Sequence, residues 1–185
     1  SITNCYVTGK LKGRAYISGL ASNLRGTVEA CYTNVSISVP TGANGGLIGR
    51  FKGGSIENSY SEGNMYGMHS GMSGGFIGEI DNAVVENCYS SVTSSSFYGF
   101  ACEADSASTI LNSYVNNEKT SNTRPPVGSN NFTGTVAWVS TKELNEMISN
   151  GVLPKIADSL LTYSPTEFQV GVDSSDSSRI SLNIS

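Results

Sequence analysis

Charge is scarce in this chain. Only 14 % of its 185 residues are Asp, Glu, Lys or Arg, and the formal net charge is −4. A nucleic-acid binder carries a basic patch or stripe, and none is visible, so no nucleic-acid partner is expected. No run of about 18 apolar residues occurs, so no helix is expected to insert into a membrane. Histidine appears once, at His69, without Cys or carboxylate at ligand spacing, and there is no Cys-x-x-Cys pair. A zinc site is therefore not expected. Nucleophile elbow, P-loop and metal triad are missing as well, so no cofactor and no catalytic group is assigned. What is abundant is glycine, 21 residues, with many Ser, Asn and Thr, and tyrosine outnumbers phenylalanine nine to six. Gly and Asn tolerate positive φ, while Tyr, Val and Ile favour a pleated surface, so the mixture fits short strands and tight turns.

The residues are not scattered. The stretch from Asn44 to Gly63 recurs as Ser73 to Ser90, and looser copies lie on both sides. Aligning the apolar-x-Asn-Cys/Ser-Tyr element places Tyr6, Tyr32, Tyr60, Tyr89 and Tyr114 in register, 26, 28, 29 and 25 residues apart. Three residues before the Cys or Ser an aliphatic side chain recurs, at Ile2, Val28, Ile56, Val85 and Ile110. A second block repeats at Gly19-Leu20-Ala21, Gly46-Leu47-Ile48, Gly75-Phe76-Ile77 and Gly99-Phe100-Ala101. Two blocks sharing one period indicate a repeat architecture.

A coil of this length cannot bury its own apolar face, and stacking solves the problem by pairing each backbone with the next along the axis. The expected fold is mainly β: a parallel β-helix-like solenoid of about four to five coils, with a small helical cap and a C-terminal β-hairpin. Residues 1–124 are assigned to the solenoid, 125–160 to a closing strand and capping helix, and 161–185 to the hairpin. Ser140 and Glu143 have the spacing of a capping box, and Gly151 is placed to stop the helix that follows. The hairpin is expected from the alternation of Phe168, Val170 and Val172, a polar turn, and the alternation of Ile180, Leu182 and Ile184. The chain opens inside a repeat and stops in a strand-like run, so a piece of a longer protein is expected.

The repeated block, Gly-Gly-Leu/Phe-Ile-Gly followed by Ile-Glu-Asn-Ser/Cys-Tyr, resembles the GLUG motif over roughly residues 1–116. That resemblance implies a non-enzymatic extracellular module of a bacterial cell-surface or secreted protein, of the kind found in adhesins and in non-catalytic parts of immunoglobulin-A proteases. Separately, Phe168-Gln-Val-Gly-Val-Asp and Arg179-Ile-Ser-Leu resemble a hairpin segment of bacterial flagellins. This second likeness implies a surface-exposed domain on a flagellar filament. A carbohydrate-active enzyme on the same scaffold is the catalytic alternative.

Candidate contact residues lie where loops carry bulky side chains: Tyr66, Met68, His69, Met72, Phe97 and Tyr98. Their partner would be a protein or glycan ligand at the surface, or neighbouring subunits of a filament. Specificity is expected in the variable loops Arg14–Asn23, Pro40–Asn44, Tyr66–Ser73 and Ser91–Tyr98. The five repeat tyrosines are expected to form a structural ladder rather than an outward contact strip. Glu29, Glu57 and Glu86 share one repeat position and would form an acidic row, a solvated edge or, with a hard cation such as calcium, a bridged one. Cys5, Cys31 and Cys88 alternate with Ser59 and Ser113, which fits small buried side chains. Cys5 and Cys31, one coil apart, are also close enough to be bridged.

Overall fold

The computed structural model describes residues 1–38, 41–67, 72–94, 97–120, 123–129 and 131–155, and the backbone of 166–169 and 179–184. The chain winds into a β-solenoid of about four turns with parallel sheets and one short helix. One face is built from β1 (Ile2–Thr3), β3 (Ala21–Glu29), β6 (Ile48–Glu57) and β9 (Ile77–Glu86), hydrogen-bonded in that order. The second face is built from β2 (Cys5–Lys12), β4 (Tyr32–Ser38), β7 (Tyr60–Tyr66) and β10 (Tyr89–Thr93). Two short strands, β5 (Asn44–Gly45) and β8 (Ser73–Gly74), pair on a third side. In the last turns β11 (Ala101–Ala104) and the start of β12 (Thr109–Asn116) both pair with β9, and the end of β12 pairs with β10. β13 (Thr133–Val139) then lies on β12 and closes the stack.

Register explains the repeats. Val28, Ile56, Val85 and Ile110 are direct neighbours across successive strands, and all four are fully buried. Leu47, Phe76 and Phe100 form a second buried column, tied by backbone bonds from Leu47 N to Phe76 O and from Phe76 N to Phe100 O, both 2.9 Å. The glycine beside each of them is needed for close approach: a Cβ on Gly46 would press into the carbonyl oxygen of Gly75 in the next turn.

The corner between the two faces is made the same way each time. Asn4, Ala30, Asn58, Asn87 and Asn112 occupy it with φ of 53°, 50°, 48°, 52° and 44°. Such left-handed backbone favours Asn over other L-residues, because its short amide can bond locally. Immediately after it comes the Cys or Ser. The hydroxyl of Ser59 donates to Glu57 O at 2.8 Å and accepts from Cys31 N of the preceding turn at 3.0 Å. Ser113 repeats this with Leu111 O and Cys88 N, and the thiols of Cys31 and Cys88 donate to Glu29 O and Glu86 O. The four cysteines are free thiols. Burial pushes Cys31 up to about 11 and raises Cys88 further in the same direction, so both stay protonated at neutral pH.

The fourth turn departs from the pattern because a tight turn interrupts it. The Asp105 carboxylate accepts from Asn82 N at 3.0 Å and from the hydroxyl of Ser108, fixing the break between β11 and β12. These bonds hold the Asp105 carboxyl below its ordinary value.

Helix α1 (Thr141–Ser149) starts at the expected capping box. Glu143 N donates to Ser140 Oγ at 3.2 Å, and Ser140 N donates to Glu143 Oε2 at 2.8 Å. Gly151, at φ 73°, follows its C-cap. Its buried residue, Leu144, packs with Val139, Leu153 and the tyrosines rather than with the aliphatic columns inside the coil. Finally β14 (Thr166–Gln169) and β15 (Arg179–Ile184) pair antiparallel, with Phe168 opposite Ile180, and the rest of the expected hairpin, Val170 and Val172 included, lies outside the described residues. β15 runs antiparallel along β2, with Leu182 opposite Val7, and so covers the edge of the second face.

Candidate binding surface

Alternation along the second face decides what points outward. In β4, Thr33, Val35 and Ile37 are buried, and Val35 and Ile37 share a core with Val7, Leu11, Met65, Val92 and Phe97. Tyr32, Asn34, Ser36 and Ser38 therefore occupy the outer side. Strand register turns these into rows running along the solenoid axis. The first row is Tyr6, Tyr32, Tyr60, Tyr89 and Tyr114. The Tyr32–Tyr60 and Tyr60–Tyr89 ring centroids are 4.5 Å apart, the latter pair stacked. This row lies outside the coil yet is covered. Tyr32, Tyr60 and Tyr89 are buried because α1 and Leu153 pack over the row.

Two residues further along each strand lies a polar row: Thr8, Asn34, Glu62 and Ser91, with Asn116 Nδ2 donating to Ser91 Oγ at 3.3 Å. Beyond it lie Lys10, Ser36, Asn64 and Thr93, and then Lys12, Ser38 and Tyr66. An open groove of about 280 Å³ crosses these rows, lined by Asn34, Glu62, Gly63, Asn64, Ser91, Thr93 and Lys119. Glu62 is half-buried. Burial raises its carboxyl above the ordinary value, and the Lys119 ammonium opposes that shift. Glu62 and Asn34 also border Tyr6, whose hydroxyl is shifted upward first by burial and then by the Glu62 charge.

On the first face a charged pair crosses the strands. Arg50 Nε lies 2.7 Å from Glu79 Oε2, and its guanidinium sits 5.0 Å from the ring centroid of Tyr16. Glu29, Glu57 and Glu86 are direct neighbours in register along this face. They stand side by side, and among the described residues no group of three His, Cys, Asp or Glu side chains is arranged to hold a metal ion.

Of the loop residues expected to make contacts, Tyr66 is exposed, 54 %, at the end of β7 and on the grooved face. Met72 and Tyr98 are half-buried, and the Arg124 guanidinium lies 5.2 Å from the Tyr98 ring. Phe97 is buried among Val92, Met65 and Ile37, so it serves the core and is not offered to a partner. Met68 and His69 lie outside the described residues. Of the groove residues, only Ser91 and Thr93 fall in a segment singled out in the sequence for specificity, Ser91–Tyr98, and Asn34, Glu62, Asn64 and Lys119 do not. The signal available was the position two residues after each repeat tyrosine, where Asn34, Glu62 and Ser91 stand in register.

A family model described as the GLUG motif matches residues 69–95, which take in β8, β9 and β10 and the corner between the last two. This motif is found in extracellular, surface-type proteins. Comparison with curated proteins and with solved structures returned no match.

Proposed function

We propose that this chain is a non-catalytic extracellular module of a bacterial cell-surface or secreted protein, and that it works in adhesion or display. The observation that carries the reading is the second face. In-register strands make a long surface whose uncovered outer rows, beyond the tyrosines, differ from strand to strand, on a scaffold whose inner columns repeat. Its partner would be a protein or a glycan met at the cell surface. The GLUG motif lies inside this scaffold and supports the extracellular assignment. The test is binding without turnover: immobilised chain should retain glycans or cell-surface proteins and release no product. Turnover that is lost in a Glu57→Gln variant would favour the carbohydrate-active enzyme instead.

A second reading places the solenoid on a flagellar filament. It draws on the hairpin of β14 and β15, which pairs antiparallel and docks on β2. Sequence flanking the chain tests it. Long heptad-patterned helices on both sides support a flagellin, and a signal peptide upstream excludes one.

A further inference from the structure

We propose that the groove across β4, β7 and β10 is a subsite for a linear neutral oligosaccharide lying along the solenoid axis. The proposal deepens the adhesive reading and rests on it. Chemistry selects the ligand. The groove offers a carboxylate (Glu62), two amides (Asn34, Asn64), two hydroxyls (Ser91, Thr93) and an ammonium (Lys119). Vicinal sugar hydroxyls both donate and accept, so they need this mixture, with the carboxylate accepting and the amides doing either. An anionic ligand would meet Glu62 and a chain of net charge −4, and a cationic one would meet Lys119.

Three further observations narrow it. The Glu62 carboxylate makes no hydrogen bond or ion pair with the described residues, so its acceptor capacity is free although it is half-buried. Tyr66, exposed and two residues beyond Asn64 on the same outer side, stands about 6.7 Å further along the strand. Its ring supplies the apolar platform on which the C–H face of a sugar rests. The rows repeat at the strand spacing of about 4.8 Å along the axis. Successive sugar units therefore meet successive strands, which fits a chain rather than a single monosaccharide.

The experiment is titration of the whole chain with cellohexaose and mannohexaose, followed by backbone amide spectra and calorimetry. Shifts confined to Asn34, Glu62, Asn64, Tyr66, Ser91, Thr93 and Lys119, with Kd about 1 mM or tighter, support the subsite. Glu62→Gln should weaken binding about tenfold, as loss of a hydrogen bond to a charged group does. Tyr66→Ala, at an exposed position, should weaken it without altering the thermal midpoint. Binding by the unaltered chain should also fall as pH drops through the Glu62 titration, and the Gln variant should lose that dependence. Absence of shifts with both sugars, or equal affinity in both variants, overturns the subsite. Adhesion of chain-coated beads to cells that neither sugar competes also overturns it, while leaving the adhesive reading intact.

Discussion

Ala30 is the one alanine in a corner column otherwise made of asparagine, and it carries the same backbone, φ 50°. An L-residue held there costs about 1–2 kcal/mol relative to the right-handed region, whereas Gly is free of that cost and Asn offsets part of it. Ala30→Asn should therefore stabilise the fold by about 0.5–1 kcal/mol. Ala30→Gly should gain less, because glycine gives back roughly 0.5–1 kcal/mol through the entropy of the unfolded chain. The reverse exchange, Asn58→Ala, should lose about as much as Ala30→Asn gains. Backbone bonding does not confound the pair, since Ala30 N donates to Glu57 O and Asn58 N to Glu86 O, each at 3.2 Å. In a chain of this size 1 kcal/mol moves the thermal midpoint by about 2–4 °C. Circular dichroism melts and urea titrations of the three variants provide the measurement, with an unchanged urea slope required before stabilities are compared. The glycine variant separates backbone strain from the fit of a larger side chain beside Tyr32. Destabilisation by both Ala30 substitutions, together with an unchanged Asn58→Ala, would refute the corner assignment.

Other substitutions test the remaining contacts. Ser59→Ala removes the acceptor of the buried Cys31 N–H and should cost about 1–3 kcal/mol, while Ser59→Cys should cost clearly less; urea midpoints decide. Gly46→Ala drives a methyl into the Gly75 carbonyl and the Ser61 side chain, with an expected loss of about 1–3 kcal/mol by thermal melt. Asp105 should titrate below about 3.9 in carbon-detected NMR. Its folded value is depressed, so the stability it contributes is complete above the unfolded value and disappears as pH falls through the folded one. A Ser108→Ala variant should bring the titration back toward the ordinary value.

The period was legible because a solenoid turns sequence spacing into contact. Val28, Ile56 and Val85 match in the sequence since they touch in the fold. The tyrosines show where a period stops informing. Their register could be read, but a buried row on the outer side was not anticipated, because its cover comes from α1 and Leu153, which do not repeat. Cys and Ser looked interchangeable for their size. The structure adds that both donate to a carbonyl two residues back and that both take an N–H of the preceding turn, Ser59 from Cys31 and Cys88 from Ser59. The groove escaped notice for the opposite reason. Asn34, Glu62 and Ser91 occupy one position with three chemistries, so alignment of the repeats hides them.

The glutamate row separates a scaffold from a catalyst. Acid–base work by two carboxylates needs environments that push their proton affinities apart. Glu29, Glu57 and Glu86 occupy equivalent positions on neighbouring strands, so their carboxylates stand side by side. Near 5 Å in water two such charges repel by about 0.8 kcal/mol before screening. Glu57 has one on each side. Glu57→Gln should therefore raise stability by several tenths of a kcal/mol at low ionic strength, with the gain vanishing near 1 M salt, where the screening length is about 3 Å. A bridging calcium ion would reverse the sign, since the variant would lose a ligand and become less stable when calcium is present. Thermal melts at low salt, at high salt and with calcium read that sign directly. Destabilisation by Glu57→Gln that appears only with calcium would replace the solvated row by a cation site, and with it the view of this face as inert scaffold.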